Sequence, residues 1–136
     1  MSEEITSKTR EPGRRKLRIA MFGTRGIPHT HGGLETFFME LAPRLAERGH
    51  EASTWFYSSD FRGNIDLFLV DGAHSYDYVR ADTERALECC HAGSVVLWHD
   101  YGRNGVNGVS RYLNQLAKTR EVYRLPGSAV AMHLIQ

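Results

Sequence analysis

The sequence predicts a three-layer α/β domain with a mainly parallel sheet and an antiparallel hairpin at its carboxyl end. Three observations carry this. Short apolar runs of strand character alternate with segments whose apolar residues recur at helical spacing, as in βα repeats. One run, Ser94 to Trp98 (SVVLW), has no polar alternation, which suits a strand covered on both faces. The last two runs flank Pro126-Gly127, a turn pair between strands.

Each element follows in order. Lys16 to Thr24 (KLRIAMFGT) reads as the first strand, leading into the glycine-rich loop GTRGIPHTHGG of residues 23–33. Leu34, Phe37, Phe38, Leu41 and Leu45 then mark one face of a helix. Pro43 should kink that helix and Gly49 end it. Glu51 to Tyr57 (EASTWFY) and Ile65 to Val70 (IDLFLV) are the second and third strands. Tyr76 to His91 is helical, with Val79, Thr83, Ala86, Leu87 and Cys90 on one side. After the SVVLW strand, Val106 to Lys118 places Val109, Tyr112, Leu113 and Leu116 on a helical face. Val122 to Leu125 and Ser128 to Ile135 close the chain as a hairpin.

Composition excludes several classes. A chain of 136 residues makes one domain. Its 17 basic and 16 acidic residues give no bulk electrostatic case for nucleic acid or a membrane surface as partner. The asymmetry is local: Lys8, Arg10, Arg14, Arg15, Lys16 and Arg18 gather around Pro12-Gly13. Residues 1–15 therefore read as a disordered basic arm, with an anionic partner as the alternative, and 16–136 as a single α/β domain. No apolar run approaches the roughly 20 residues of a membrane span, and no signal-peptide pattern is visible. Cys89 and Cys90 are adjacent, which suits neither a disulfide framework nor a metal motif, so a cytoplasmic protein with reduced thiols is expected. His50, His91 and His133 read as loop or surface residues.

Ligands of such sheets bind at the carboxyl ends of the strands. Three loops fall on that edge, 23–33, 71–76 and 99–107, and all are rich in Gly, His and Asp. The second is the most pointed. VDGAHSYDY, residues 70–78, places an acid and a histidine three apart where a buried strand ends. The residues alone also allow a polar turn, with Asp100 as a cap and His74 on the surface.

Two family resemblances divide the chain. Residues 16–59 (KLRIAMFGTRGIPHTHGGLETFFMELAPRLAERGHEAS and on) resemble the start of a retaining, rhamnosyltransferase-like glycosyltransferase of the two-Rossmann-domain type. Residues 65–135, with IDLFLVDGAHSYDYVRADTERALECCHAGSVVLWHDYG, GVSRYLNQLA and RLPGSAVAMHL, are similar to the carboxyl half of class I S-adenosylmethionine-dependent methyltransferases. The fold implied is Rossmann-like, with a glycosyltransferase-like segment to residue 59 and a methyltransferase-like segment from 60. The second resemblance implies a site for metal-assisted O-methyl transfer. It makes Asp71 a metal ligand and His74 the general base, and it sets the closing acidic pair on His99 and Asp100. His99 departs from that pattern by putting imidazole where a carboxylate is usual. Mg²⁺ is the usual ion for oxygen ligands, and a histidine in the set tilts toward Mn²⁺, Fe²⁺ or Zn²⁺.

Both resemblances are incomplete. The donor domain of the glycosyltransferases is missing, and so is the G-x-G-x-G loop of the methyltransferases. Gly23, Gly26, Gly32 and Gly33 stand in its place, with Asp60 after the second strand as the candidate for a cofactor ribose. The expected partner is a small molecule, with a sugar hydroxyl suggested by the company these families keep. The replaced loop counts against turnover, so a non-catalytic chimeric α/β module stands as the alternative, beside a glycosyltransferase fragment that acts with a donor domain in trans. The seam adds a physical difficulty. Only residues 58–64 separate Tyr57 from Ile65, and seven residues reach at most about 25 Å. That leaves an antiparallel second strand, a strained link, or a homodimer that exchanges its amino-terminal segments.

Overall fold

The computed structural model describes residues 15–23, 33–54 and 62–136. Along these residues run β1 (Arg18–Phe22), α1 (Gly33–Glu47), β2 (Glu51–Thr54), β3 (Ile65–Val70), α2 (Tyr76–Cys89), β4 (Cys90–Trp98), α3 (Asn107–Leu116), β5 (Tyr123–Arg124) and β6 (Ala131–Leu134). The strands form one sheet in the order β2-β1-β3-β4-β6-β5. β1 to β4 are mutually parallel, and β6 runs antiparallel to both β4 and β5. The expected α/β architecture with a closing hairpin is therefore present.

Alternation along the strands splits the core in two. Phe68, Val70, Val96 and Trp98 pack with Val79 and Ala86 of α2 and with Val109 and Leu113 of α3. Ile19 and Met21 of β1 pack with Phe38 of α1, and Leu67 and Leu69 of β3 lie against that second cluster. Phe38 is fully buried whereas Phe37, from the same apolar pair, is about half exposed. One polar bond ties the larger cluster together: the Trp98 indole N–H donates to Thr83 Oγ1 at 2.8 Å, and both side chains are fully buried. A buried indole needs such a partner, which explains a threonine on the apolar face of α2.

Several expectations are corrected. Cys90 does not belong to α2. The helix ends at Cys89, and Cys90 is already extended (φ −86°, ψ 162°) and paired with Ile65. β4 thus begins four residues before its apolar run, and Gly93 (φ +90°) gives an irregular stretch where Ser94 Oγ donates to the Ile65 carbonyl. His133 is buried on β6, its ring lying 2.8 Å from the Glu121 carbonyl, and is not a surface residue. His50 is half-buried, with Nδ1 accepting from the Leu17 amide. Arg15, the last residue of the expected arm, is paired with Asp66 of β3; residues 1–14 lie outside the described residues.

At the seam, β2 is parallel to β1, so the antiparallel alternative is wrong. Its described residues end at Thr54, and residues 55–61 of the link to β3 lie outside the described residues.

Candidate functional site

Two adjacent strand ends build the site. The His99 amide donates to the Val70 carbonyl (3.1 Å), extending the parallel pairing of β3 and β4 one step past both strands. Asp71 and His99 consequently stand side by side at the carboxyl edge. Two glycines hold this edge from either side. A Cβ on Gly23, at the end of β1 with φ +117°, would lie 2.0 Å from the Asp71 carbonyl oxygen. One on Gly108, in the first turn of α3, would lie 2.0 Å from the carbonyl oxygen of His74. Neither position admits a side chain, so the backbones of β1 and α3 clamp the 71–76 loop. Tyr76 completes the support by meeting Tyr112 edge-on at 5.5 Å.

Asp100 is the hub. It is 3% exposed and takes the left-handed backbone conformation, φ 64°. Its Oδ2 lies 2.8 Å from His74 Nε2 and 3.3 Å from His99 Nδ1, and its Oδ1 accepts from Arg103 Nη1 at 2.9 Å. Asp71 Oδ1 is 3.4 Å from the same His99 Nδ1. That nitrogen is buried and makes no well-formed hydrogen bond to either carboxylate. One ligand atom from each of Asp71, His74 and Asp100 lies within 4.8 Å of the other two.

Environment separates the two carboxyls. Burial raises Asp71, the Asp100 charge adds to this, and His99 and His74 only partly offset it. Burial also acts upward on Asp100, but the Arg103 hydrogen bond and the charges of His99 and His74 outweigh it, so Asp100 is held below the usual carboxylate range. Two neighbouring acids pushed apart in this way can hold one proton or one cation between them. The donor set fits a divalent ion: two carboxylates and the His74 imidazole within reach of one another, with the unbonded, buried Nδ1 of His99 facing both carboxylates.

The structure thus brings together Asp71, His74, His99 and Asp100. Gly23 is taken up by packing against Asp71, and Gly33 opens α1 with nothing within 4 Å of its Cβ position. Gly26, Gly32 and Asp60 lie outside the described residues. Sequence reasoning missed Arg103, Gly108 and Ser110, whose Oγ accepts from the Gly102 amide at 2.8 Å. A signal existed for Arg103, a cation three residues after the strand-end acid between Gly102 and Gly105. On the α1 face, an apolar groove of about 600 Å³, lined by Phe37, Leu41, Leu67, Leu69 and Leu97, runs up to Asp71 and His99. No helix among the described residues is long and apolar enough to cross a membrane.

Comparison with known proteins gives the same direction. A family described as a methyltransferase domain matches residues 50–101, which span β2 to Asp100 and begin inside the stretch that resembles glycosyltransferases. No curated protein matches the sequence. Among solved structures, the fold is similar to the MycE methyltransferase from the mycinamycin biosynthetic pathway in complex with Mg, SAH and mycinamycin VI. There the TM-score is 0.56 at 14% identity over 88% of this chain and 45% of that one. A second crystal of MycE with Mg and SAH gives 0.54 at 13% identity, covering 89% and 46%. The chain therefore spans less than half the length of these two structures. That likeness takes in most of residues 16–59 as well, and the glycosyltransferase mosaic finds no support in it. Over residues 50–101 the chain is thus similar to a methyltransferase domain, within an α/β fold similar to that of MycE.

Proposed function

We propose that the 71–100 edge is a site for metal-assisted O-methyl transfer from S-adenosylmethionine to a small-molecule hydroxyl. One observation carries this reading: Asp71, His74 and Asp100, from two successive strand ends, bring their ligand atoms within 4.8 Å. Similarity to a methyltransferase solved with Mg and SAH supports it. Asp71, His99 and Asp100 would hold the ion, whose chemistry is to lower the pKa of a bound hydroxyl. S-adenosylmethionine, when bound, supplies the methyl group.

The remaining work falls to His74. An Nε2–H donated to Asp100 fixes the ring and leaves the Nδ1 lone pair outward on a half-exposed side chain. That lone pair accepts the hydroxyl proton as the oxygen becomes a nucleophile. The acceptor is read as a small molecule by analogy with the macrolide-bound neighbour, and a sugar hydroxyl remains within that class. We read the glycosyltransferase-like stretch as scaffold, since it supplies β1, α1 and β2 to this sheet.

The competing reading, a non-catalytic module, is favoured by Gly23, which packs against Asp71 instead of standing open to a cofactor. Calorimetric titration with S-adenosylhomocysteine, with and without Mg²⁺ or Mn²⁺, separates the two. Micromolar binding that tightens with metal, and loses that dependence in Asp71→Ala, is the expected result. His74→Ala should still bind S-adenosylhomocysteine and lose methyl transfer by about 10²-fold or more. A cooperatively melting protein that binds nothing would establish the non-catalytic module.

A further inference from the structure

Arg103 is the one member of the cluster for which metal-assisted transfer has no use. Its guanidinium takes Asp100 Oδ1 at 2.9 Å, while the two imidazoles crowd Oδ2. Every oxygen of the buried hub is thereby engaged, and a cation that binds Asp100 must displace one of these groups. The backbone of Arg103 is poorly placed to move. The Tyr101 amide donates to the Ala129 carbonyl (2.9 Å), the Gly102 amide to Ser110 Oγ (2.8 Å) and the Val106 amide to the Arg103 carbonyl (3.3 Å). Gly102 and Gly105, at φ +73° and +82°, turn the chain back on either side of it. The side chain is different: it is 63% exposed, so the guanidinium can leave Asp100 for water at little cost.

We propose that Arg103 is a built-in counter-ion that occupies Asp100 in the metal-free protein and competes with a divalent cation for it. The inference rests on the metal-site reading given above. A buried carboxylate without a partner is expensive, and an exposed arginine on a tethered loop compensates it until a cation arrives. Arg103 also sets one positive charge beside the carboxylates that draw a cation in.

Binding of Mn²⁺, followed by loss of the free-ion electron paramagnetic resonance signal, tests this without any turnover. Arg103→Gln should bind Mn²⁺ roughly three- to tenfold more tightly than wild type, the range expected for one partly exposed ion pair. Arg103→Met is the second neutral variant and carries the measurement if Arg103→Gln does not fold. Lys118→Gln, an equal change of net charge at an exposed residue beyond α3, should leave the affinity unchanged. Weaker or unchanged binding in the Arg103 variants would overturn the proposal, as would equal tightening in Lys118→Gln. Wild type and variants all silent toward Mn²⁺ would instead remove the metal site itself, and this inference with it.

Discussion

Asp100 is the only non-glycine residue with positive φ among those described, and it is the residue on which three side chains, those of His74, His99 and Arg103, converge. Aspartate tolerates the left-handed region better than most residues, so backbone shape and chemistry both select it here. The two contributions can be separated. Asp100→Gly and Asp100→Ala both delete the carboxylate, but only glycine relaxes the backbone, so the alanine variant should be less stable by about 1 kcal/mol in chemical denaturation. Cys90 gives a second prediction at this scale. Burial pushes its thiol up to about 11, so it stays protonated and shielded at neutral pH. Iodoacetamide should label neither Cys89 nor Cys90 until the protein is unfolded. Asp71, His74, His99 and Asp100 were legible in the sequence because they follow the ends of two apolar strands. Arg103 was not, because its partner is set by the turn that follows and not by spacing along a strand.

At the scale of elements, α2 and β4 form the unit that aims the site. The Thr83–Trp98 bond joins them just beneath His99. Thr83→Val conserves volume yet strands a buried indole N–H, and should cost about 1–3 kcal/mol in urea denaturation. Gly108→Ala should act on a different axis. An added methyl would press on the His74 carbonyl, so this variant should lose cation binding and melt lower, as a joint readout of Tm and Mn²⁺ affinity would report. Element types were readable throughout from periodicity. Boundaries were less so: Cys90 to Gly93 lack a strand pattern and join β4 because Ile65 and the Ser94 hydroxyl capture them.

For the whole molecule, the end of the sheet opposite the site is tied by one carboxylate. Asp66 accepts from the Arg18 amide (2.8 Å) and faces His91 Nε2 at 3.0 Å, with Arg15 also paired to it. Burial pushes its pKa up, but the Arg18 amide, the His91 hydrogen bond and the nearby positive charges prevail, so the folded value lies below the ordinary one. A depressed folded pKa means a stabilisation that is complete above the unfolded value, near 3.9, and is lost as pH falls through the folded one. Asp66→Asn should therefore lower Tm at pH 7, and the gap from wild type should close on acidification below about pH 4.

The clamp at Gly23 shows how little the amino-terminal strand supplies to the cluster itself. Among the described residues, every side chain that touches the cluster lies between Asp71 and Arg103, a continuous stretch borne on β3, α2 and β4. The amino-terminal unit contributes a strand for β3 to pair with and, at that strand's end, a residue without a side chain. The 71–103 stretch therefore brings the cluster's side chains together on its own elements, while Gly23 upstream and Gly108 downstream hold its backbone in place.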